Sequence, residues 1–110
     1  MSRAPAKGKA PELTAHQWTF LTNHAHVLIC IAGDRDARIR DIARSVGITE
    51  RAVARILAEL EADGYVERER EGRRNHYKIR SAQPLRHPLE EHRTVGTLLK
   101  AIVREEIKSR

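Results

Sequence analysis

Cysteine occurs once in this chain, at Cys30, so no internal disulfide can form. That usage suits a reducing interior, and a cytoplasmic, nucleoid-associated location is expected. Long apolar runs are missing as well. The longest, Val27 to Ala32, lies well inside the chain and is too short for a secretion signal. It also falls far below the roughly 20 residues that span a bilayer, so no membrane partner is expected. Aromatic residues are scarce: Trp18, Phe20, Tyr65 and Tyr77 are the whole set. No phosphate-binding loop, no nucleophile elbow and no serine in a recognisable motif are present, which argues against an enzyme. Repeats and low-complexity segments are absent too.

Charge is what the sequence has in quantity. Its 110 residues carry 21 Lys and Arg against 15 Asp and Glu, a formal +6. A length of this order fits one domain with a real but modest core. A basic balance favours acidic partners, nucleic acid first and anionic membrane second, but the distribution of the charge decides more than its sum.

Residues 1–12, "MSRAPAKGKAPE", read as a flexible basic tail. Trp18, Phe20 and Leu21 follow as a short strand or the lead-in to a helix, with Trp18 expected to anchor against another element, including one from a second subunit. From Thr22 the chain reads as helical. Thr22 or Asn23 can cap, "AHVLICIA" is almost wholly apolar and therefore buried, and Gly33 is expected to end the helix in a left-handed conformation. Ile39, Ile42, Ala43 and Val46 fall at i, i+3, i+4 and i+7, which predicts a second helix over 39–46, closed by Gly47. Val53, Ile56, Leu57 and Leu60 repeat the spacing on a third helix, 49–63, capped by Thr49 and closed by Gly64. Two short amphipathic helices joined by a glycine turn match a helix-turn-helix.

Residues 65–71 and 75–80 predict a hairpin around "EGRRN", with Gly72 and Asn75 as turn formers. Two strands cannot stand alone in water, so the hairpin must lean on the helices. Pro84 and Pro88 mark 81–93 as a linker. Thr94 then caps a final helix, 94–110, on which Val95, Leu98, Leu99, Ile102, Val103 and Ile107 form an apolar stripe. The expected fold is mainly α with a small β-hairpin: a helix-turn-helix domain with its hairpin over 13–80, an order of elements that resembles a winged helix-turn-helix, plus a C-terminal helix.

The stretches "RIRDIARSVGITERAVARILAELEADGYVERE" and "GRRNHYKI" carry a resemblance to the winged helix-turn-helix transcriptional regulators of bacteria and archaea, the MarR-like and ArsR-like groups above all. It covers roughly residues 22–80. The resemblance implies double-stranded DNA as partner, with the third helix in the major groove and the wing at the minor groove or backbone. It also implies frequent homodimerisation through terminal helices. With the apolar stripe inward, Glu50, Arg51, Ala54 and Arg55 project outward, and arginine can pair bidentately with guanine. Ala52, Ala54 and Ala58 are small enough for close approach, while Glu59, Glu61 and Asp63 sit at the far end, clear of phosphates. Thr49 caps a helix whose N-terminus suits a phosphate, and Arg40, standing where a capping residue would be expected, can reach another. On the wing, Arg73 and Arg74 are expected at the tip, where a narrow minor groove attracts arginine. Arg68, Arg70 and His76 are weaker candidates, because Glu67, Glu69 and Glu71 alternate with the cations and can pair across the strands.

The C-terminal stripe can fold back on its own domain or meet a second copy. A homodimer through Trp18, Val95, Leu98, Leu99, Ile102 and Val103 is the favoured expectation, acting as a repressor. Whether a small-molecule effector exists is unknown from sequence. Six histidines and Cys30 raise a metal-sensor idea, but no closely spaced ligand pair supports it, and neither metal nor other cofactor is expected. The rivals are a winged-helix protein-interaction or assembly module and an RNA-binding winged helix. The basic "GRR" beside Arg51 and Arg55 favours nucleic acid over protein.

Overall fold

The computed structural model describes residues 18–103. Its elements run α1 (Asn23–Gly33), α2 (Ile39–Val46), α3 (Glu50–Ala62), β1 (Val66–Glu71), β2 (Arg74–Ile79) and α4 (Val95–Ile102). This is a winged helix: three helices, an antiparallel hairpin, and one further helix. The 1–12 tail, His16 and Ile107 lie outside the described residues.

One core joins all four helices. α1 contributes Val27, Leu28 and Ile31, α2 Ile42 and Ala43, and α3 Val53, Ile56, Leu57 and Leu60. Val66 enters from β1, with Val95 and Leu99 from α4. Fully burying each larger aliphatic side chain contributes about 1.5–3 kcal/mol. That is why the spacing of these residues, rather than helix propensity, sets which face of α2 and α3 turns inward. Val27 and Val53 have no exposed surface at all.

The helix starts follow local chemistry. Thr22 Oγ1 accepts from the Ala25 N–H at 3.3 Å, Thr49 Oγ1 from the Ala52 N–H at 3.0 Å, and Thr94 Oγ1 from the Thr97 N–H at 3.2 Å. α2 differs. Its N-cap is Arg38, not Arg40, which lies inside the first turn. Arginine offers no acceptor, so the cap works in reverse: the Arg38 N–H donates to Asp41 Oδ2 at 3.3 Å. Gly47 ends α2 at φ 88°, and its N–H donates to the Ala43 carbonyl at 2.8 Å, as a left-handed stop requires. Gly33 does not act this way. Positive φ among the described glycines is confined to Gly47, Gly64 and Gly72, and α1 ends instead at an extended Asp34 whose N–H reaches the Cys30 and Ile31 carbonyls.

The hairpin is tighter than its sequence suggests. Glu71 pairs with Arg74, Arg70 with Asn75 and Val66 with Ile79. Arg74 and Asn75 therefore belong to β2, and the turn is only Gly72–Arg73. Gly72 at φ 65°, with no non-glycine residue at positive φ, fits a two-residue turn that has glycine first. β1 leans on α3 and β2 on α1.

Residues 81–93 are tied back onto the domain. The Tyr65 hydroxyl donates to the Pro84 carbonyl at 2.7 Å, and Val95 N–H donates to the Gln83 carbonyl at 2.9 Å. Gly96 lies so close to Ser81 that an added Cβ would meet the Ser81 Cβ at 2.9 Å. α4 thus packs on α1 of its own domain, and Val95 and Leu99 are core residues, 2% and 6% exposed. Of the C-terminal stripe, these two residues face inward.

Leu99→Ala lowers the unfolding free energy by about 2–5 kcal/mol. The loss is independent of protein concentration, because the contact is within one chain; urea denaturation at two concentrations tenfold apart checks it.

Candidate nucleic-acid interface

α3 presents its outward face as the inward stripe dictates. Glu50, Arg51, Ala54, Arg55 and Ala58 are exposed, and Ala52 is half-buried. Glu50 in the first turn favours the positive end of the helix dipole. Beside the start of α3, Arg40 and Arg44 line a shallow groove with Gly47, Ile48, Thr49 and Glu50. The groove is where α2, the turn and the capped end of α3 converge.

The ion pairs divide the cations into two groups. Arg35 faces Glu69 at 3.6 Å, Arg68 faces Glu61 at 3.7 Å, Arg86 holds Asp63 at 2.7 Å, and Arg80 holds Glu67. By contrast, Arg38, Arg40, Arg44, Arg51 and Arg55 make no ion pair among the described residues. The trailing acids of α3 make contacts of their own. Glu59 meets His24 of α1 at 2.7 Å, Glu61 meets the wing, and Asp63 meets the 81–93 loop. They tie three neighbours to the end of α3.

The wing is less open than its charge implies. Gly72 and Arg73 form the tip, and Arg73 makes no ion pair among the described residues. Arg74 reaches back, its Nη2 donating to the Asp36 carbonyl at 2.6 Å. Arg70 Nε donates to the Gly72 carbonyl at 3.3 Å. The His76 side chain is only 11% exposed, with Nε2 2.8 Å from Glu71 Oε1 and Nδ1 2.9 Å from Asp36 Oδ1. The Nδ1 contact is close but poorly directed, since that buried atom has no hydrogen-bond partner of good geometry. His76 therefore faces two carboxylates and offers almost no surface to a ligand. Cross-strand pairing of the wing acids is partly realised, but diagonally or to another element: Glu69 is taken by Arg35 of the α1–α2 loop.

Residues 20–73 match the model of the MarR family. The matched segment runs from Phe20 through all three core helices to the wing tip. It supports a DNA-binding transcriptional regulator of the winged-helix type for this chain. The match stops before β2, and the loop 81–93 and α4 lie beyond it. No curated protein matches the chain.

Around the MarR-like segment, two residues that bear on the site were not picked out from sequence. Arg44 shares a face of α2 with Arg40 at i, i+4, and that spacing could have revealed it. Arg38 had no comparable signal. Trp18 packs on no core element of its own chain among the described residues. It is 73% exposed and stacks edge-on against Phe20, itself 90% exposed, with ring centres 4.8 Å apart. Ile102 is 41% exposed, and Leu98 and Val103 are half-buried. Among the described residues no group of three or more His, Cys, Asp and Glu side chains is placed to hold a metal ion, and no helix is long and apolar enough to cross a membrane.

Burial pushes the Cys30 thiol above its ordinary value and the His26 imidazole below its own. Less thiolate means slower reaction. Iodoacetamide is therefore expected to alkylate Cys30 more slowly in the folded chain than in urea at the same pH, as mass spectrometry over a time course would show; equal rates would refute the buried placement.

Proposed function

We propose that this protein is a sequence-specific, double-stranded DNA-binding transcriptional regulator that works as a dimeric repressor by covering a promoter. One observation carries the reading: Arg38, Arg40, Arg44, Arg51 and Arg55, which make no ion pair among the described residues, lie together at the N-cap of α2, on α2 and on the leading half of α3, within the segment that matches the MarR family. A folded protein has no internal use for Arg38, Arg40, Arg44, Arg51 and Arg55 left open to water, whereas a polyanion releases counterions on meeting them.

In this reading Arg51 and Arg55 meet base edges in the major groove, with Glu50 able to accept from cytosine and Ala54 allowing close approach. Thr49, Arg40 and Arg44 hold phosphates at the start of α3. Arg73 is the wing's contact with the minor groove or backbone, with Arg68 and Arg70 secondary. Arg74 and His76 serve the wing from within rather than touching DNA.

The dimer reading rests on exposed apolar surface. Trp18, Phe20, Leu98, Ile102 and Val103 remain after Val95 and Leu99 have been absorbed into the core. A large cleft bordered by Phe20, Leu28, Leu60, Tyr65, Leu85 and Leu98 continues this surface. Apolar surface of this kind marks an interface in soluble proteins. Two copies would place their α3 helices about 34–36 Å apart on a near-palindromic site.

Arg55→Ala is expected to weaken binding to the preferred duplex by about 1–3 kcal/mol, more than it weakens random duplex. Arg73→Ala should weaken all duplexes alike and lower the salt slope by about one. Titrations at two salt concentrations check both, and mutants that bind like the parent would overturn the assignment. Sedimentation at micromolar concentration tests the dimer: a monomer would remove it.

A further inference from the structure

We propose that the loop between α1 and α2 is a dock that sets the attitude of the wing, with Asp36 and His76 as its positioning residues. The proposal rests on the reading that the wing meets DNA. Its starting point is an absence of apolar support. β1 is buried only at Val66 and exposed from Glu67 to Glu71, so the outer half of the hairpin has nothing greasy to hold it. A two-stranded ribbon without such support is marginal in water. The direction of its tip must come from polar contacts.

Those contacts converge on two adjacent residues. Arg35 faces Glu69 at 3.6 Å. Asp36 is met twice: His76 Nδ1 lies 2.9 Å from its carboxylate, and Arg74 Nη2 donates to its carbonyl at 2.6 Å. Glu71 closes the arrangement from β1, 2.8 Å from His76 Nε2. The receiving loop is itself braced. Asp34 Oδ1 accepts the Asp36 N–H at 3.0 Å, and the Asp34 carbonyl accepts the Ala37 N–H at 3.0 Å. Asp36 is thereby held in one orientation toward β2. The outer wing is thus gripped through side chains that composition alone would assign to DNA.

The consequence concerns Arg73. With Arg74 and His76 turned back to the loop, Arg73 is the cation left at the tip, and its reach is fixed by the dock. Contacts between exposed charges add little to global stability. Loosening the dock should therefore appear in wing motion and DNA contact rather than in the melting temperature.

The full chain carrying Asp36→Ala or His76→Ala tests this, with Asp36→Asn as a conservative control that keeps an acceptor. Amide hydrogen exchange is followed in the free protein, and duplex affinity is measured across salt. In Asp36→Ala and in His76→Ala, exchange at Glu71 to Asn75 should quicken roughly tenfold while that of α3 is unchanged. The salt slope should fall by about one, as for loss of the Arg73 contact. The double mutant should be no worse than His76→Ala alone, because His76 is the wing residue that the Asp36 carboxylate meets, and Asp36→Asn should recover most of the Asp36→Ala effect. Unchanged exchange at the tip would overturn the dock. Faster exchange with an unaltered salt slope would overturn its role at DNA. If the parent chain bound no duplex, the DNA reading would fall and the dock's role at DNA with it, and the exchange measurement would still decide whether the dock exists.

Discussion

Val53, Ile56, Leu57 and Leu60 lock the rotation of α3 about its own axis, and the remaining features of the surface follow from that rotation. All four are buried among residues of the other helices and β1. Turning the helix would expose side chains worth about 1.5–3 kcal/mol each, which no surface contact in this protein could offset. Glu50, Arg51, Ala54 and Arg55 consequently face outward whatever their own preferences. The cap at Thr49 fixes the other coordinate, the position at which the helix begins. Together they aim a short cationic face with little freedom to reorganise, which suits recognition of a rigid partner.

Electrostatics here works by subtraction. Each acid at the end of α3 and each acid of β1 has a basic neighbour, an arginine or, for Glu59 and Glu71, a histidine, and those neighbours come from α1, the α1–α2 loop, the hairpin, Arg80 just after it and the 81–93 loop. Exposed pairs of this kind contribute on the order of 0–1 kcal/mol each. Their larger effect is on the distribution of charge. Acids and bases meet around the trailing end of α3, while Arg38, Arg40, Arg44, Arg51 and Arg55, without an ion pair among the described residues, stand at the N-cap of α2, on α2 and on the leading half of α3. A modest net charge thereby becomes a localised cationic patch. Local concentration of charge, more than the total, steers a polyanion to a surface.

The hairpin shows the same economy in a different form. Its base is held by Val66, Tyr77 and Ile79 against the core, and its tip by polar contacts with Arg35 and Asp36. Burial raises the Tyr77 hydroxyl above its ordinary value, with Arg68 opposing and Glu61 reinforcing the shift, in keeping with a ring at the boundary between the two regimes. A wing built this way is anchored by apolar packing at one end and orientated by charge at the other.

Much of this was legible in the sequence because it depends on short-range periodicity. The i, i+3, i+4, i+7 stripes of α2 and α3, the threonine caps, the left-handed stop at Gly47 and the hairpin around Gly72 are all decided within a few residues of themselves. Long-range choices were not legible. Arg74 and His76 look like wing-tip cations until folding brings Asp36, 38 and 40 positions away, alongside them. Nor does the stripe of α4 say that Val95 and Leu99 are the residues buried within their own chain. Gly33 looks like a stop, yet Asp34 closes that helix in an extended conformation. The sequence by itself determined which elements form and which of their faces turn inward, since both follow from local hydrogen bonding and the removal of apolar stripes from water. Tertiary structure alone decided which charges neutralise one another and which stay open, because a charge finds its partner by distance in space, and the chain order carries no record of that distance.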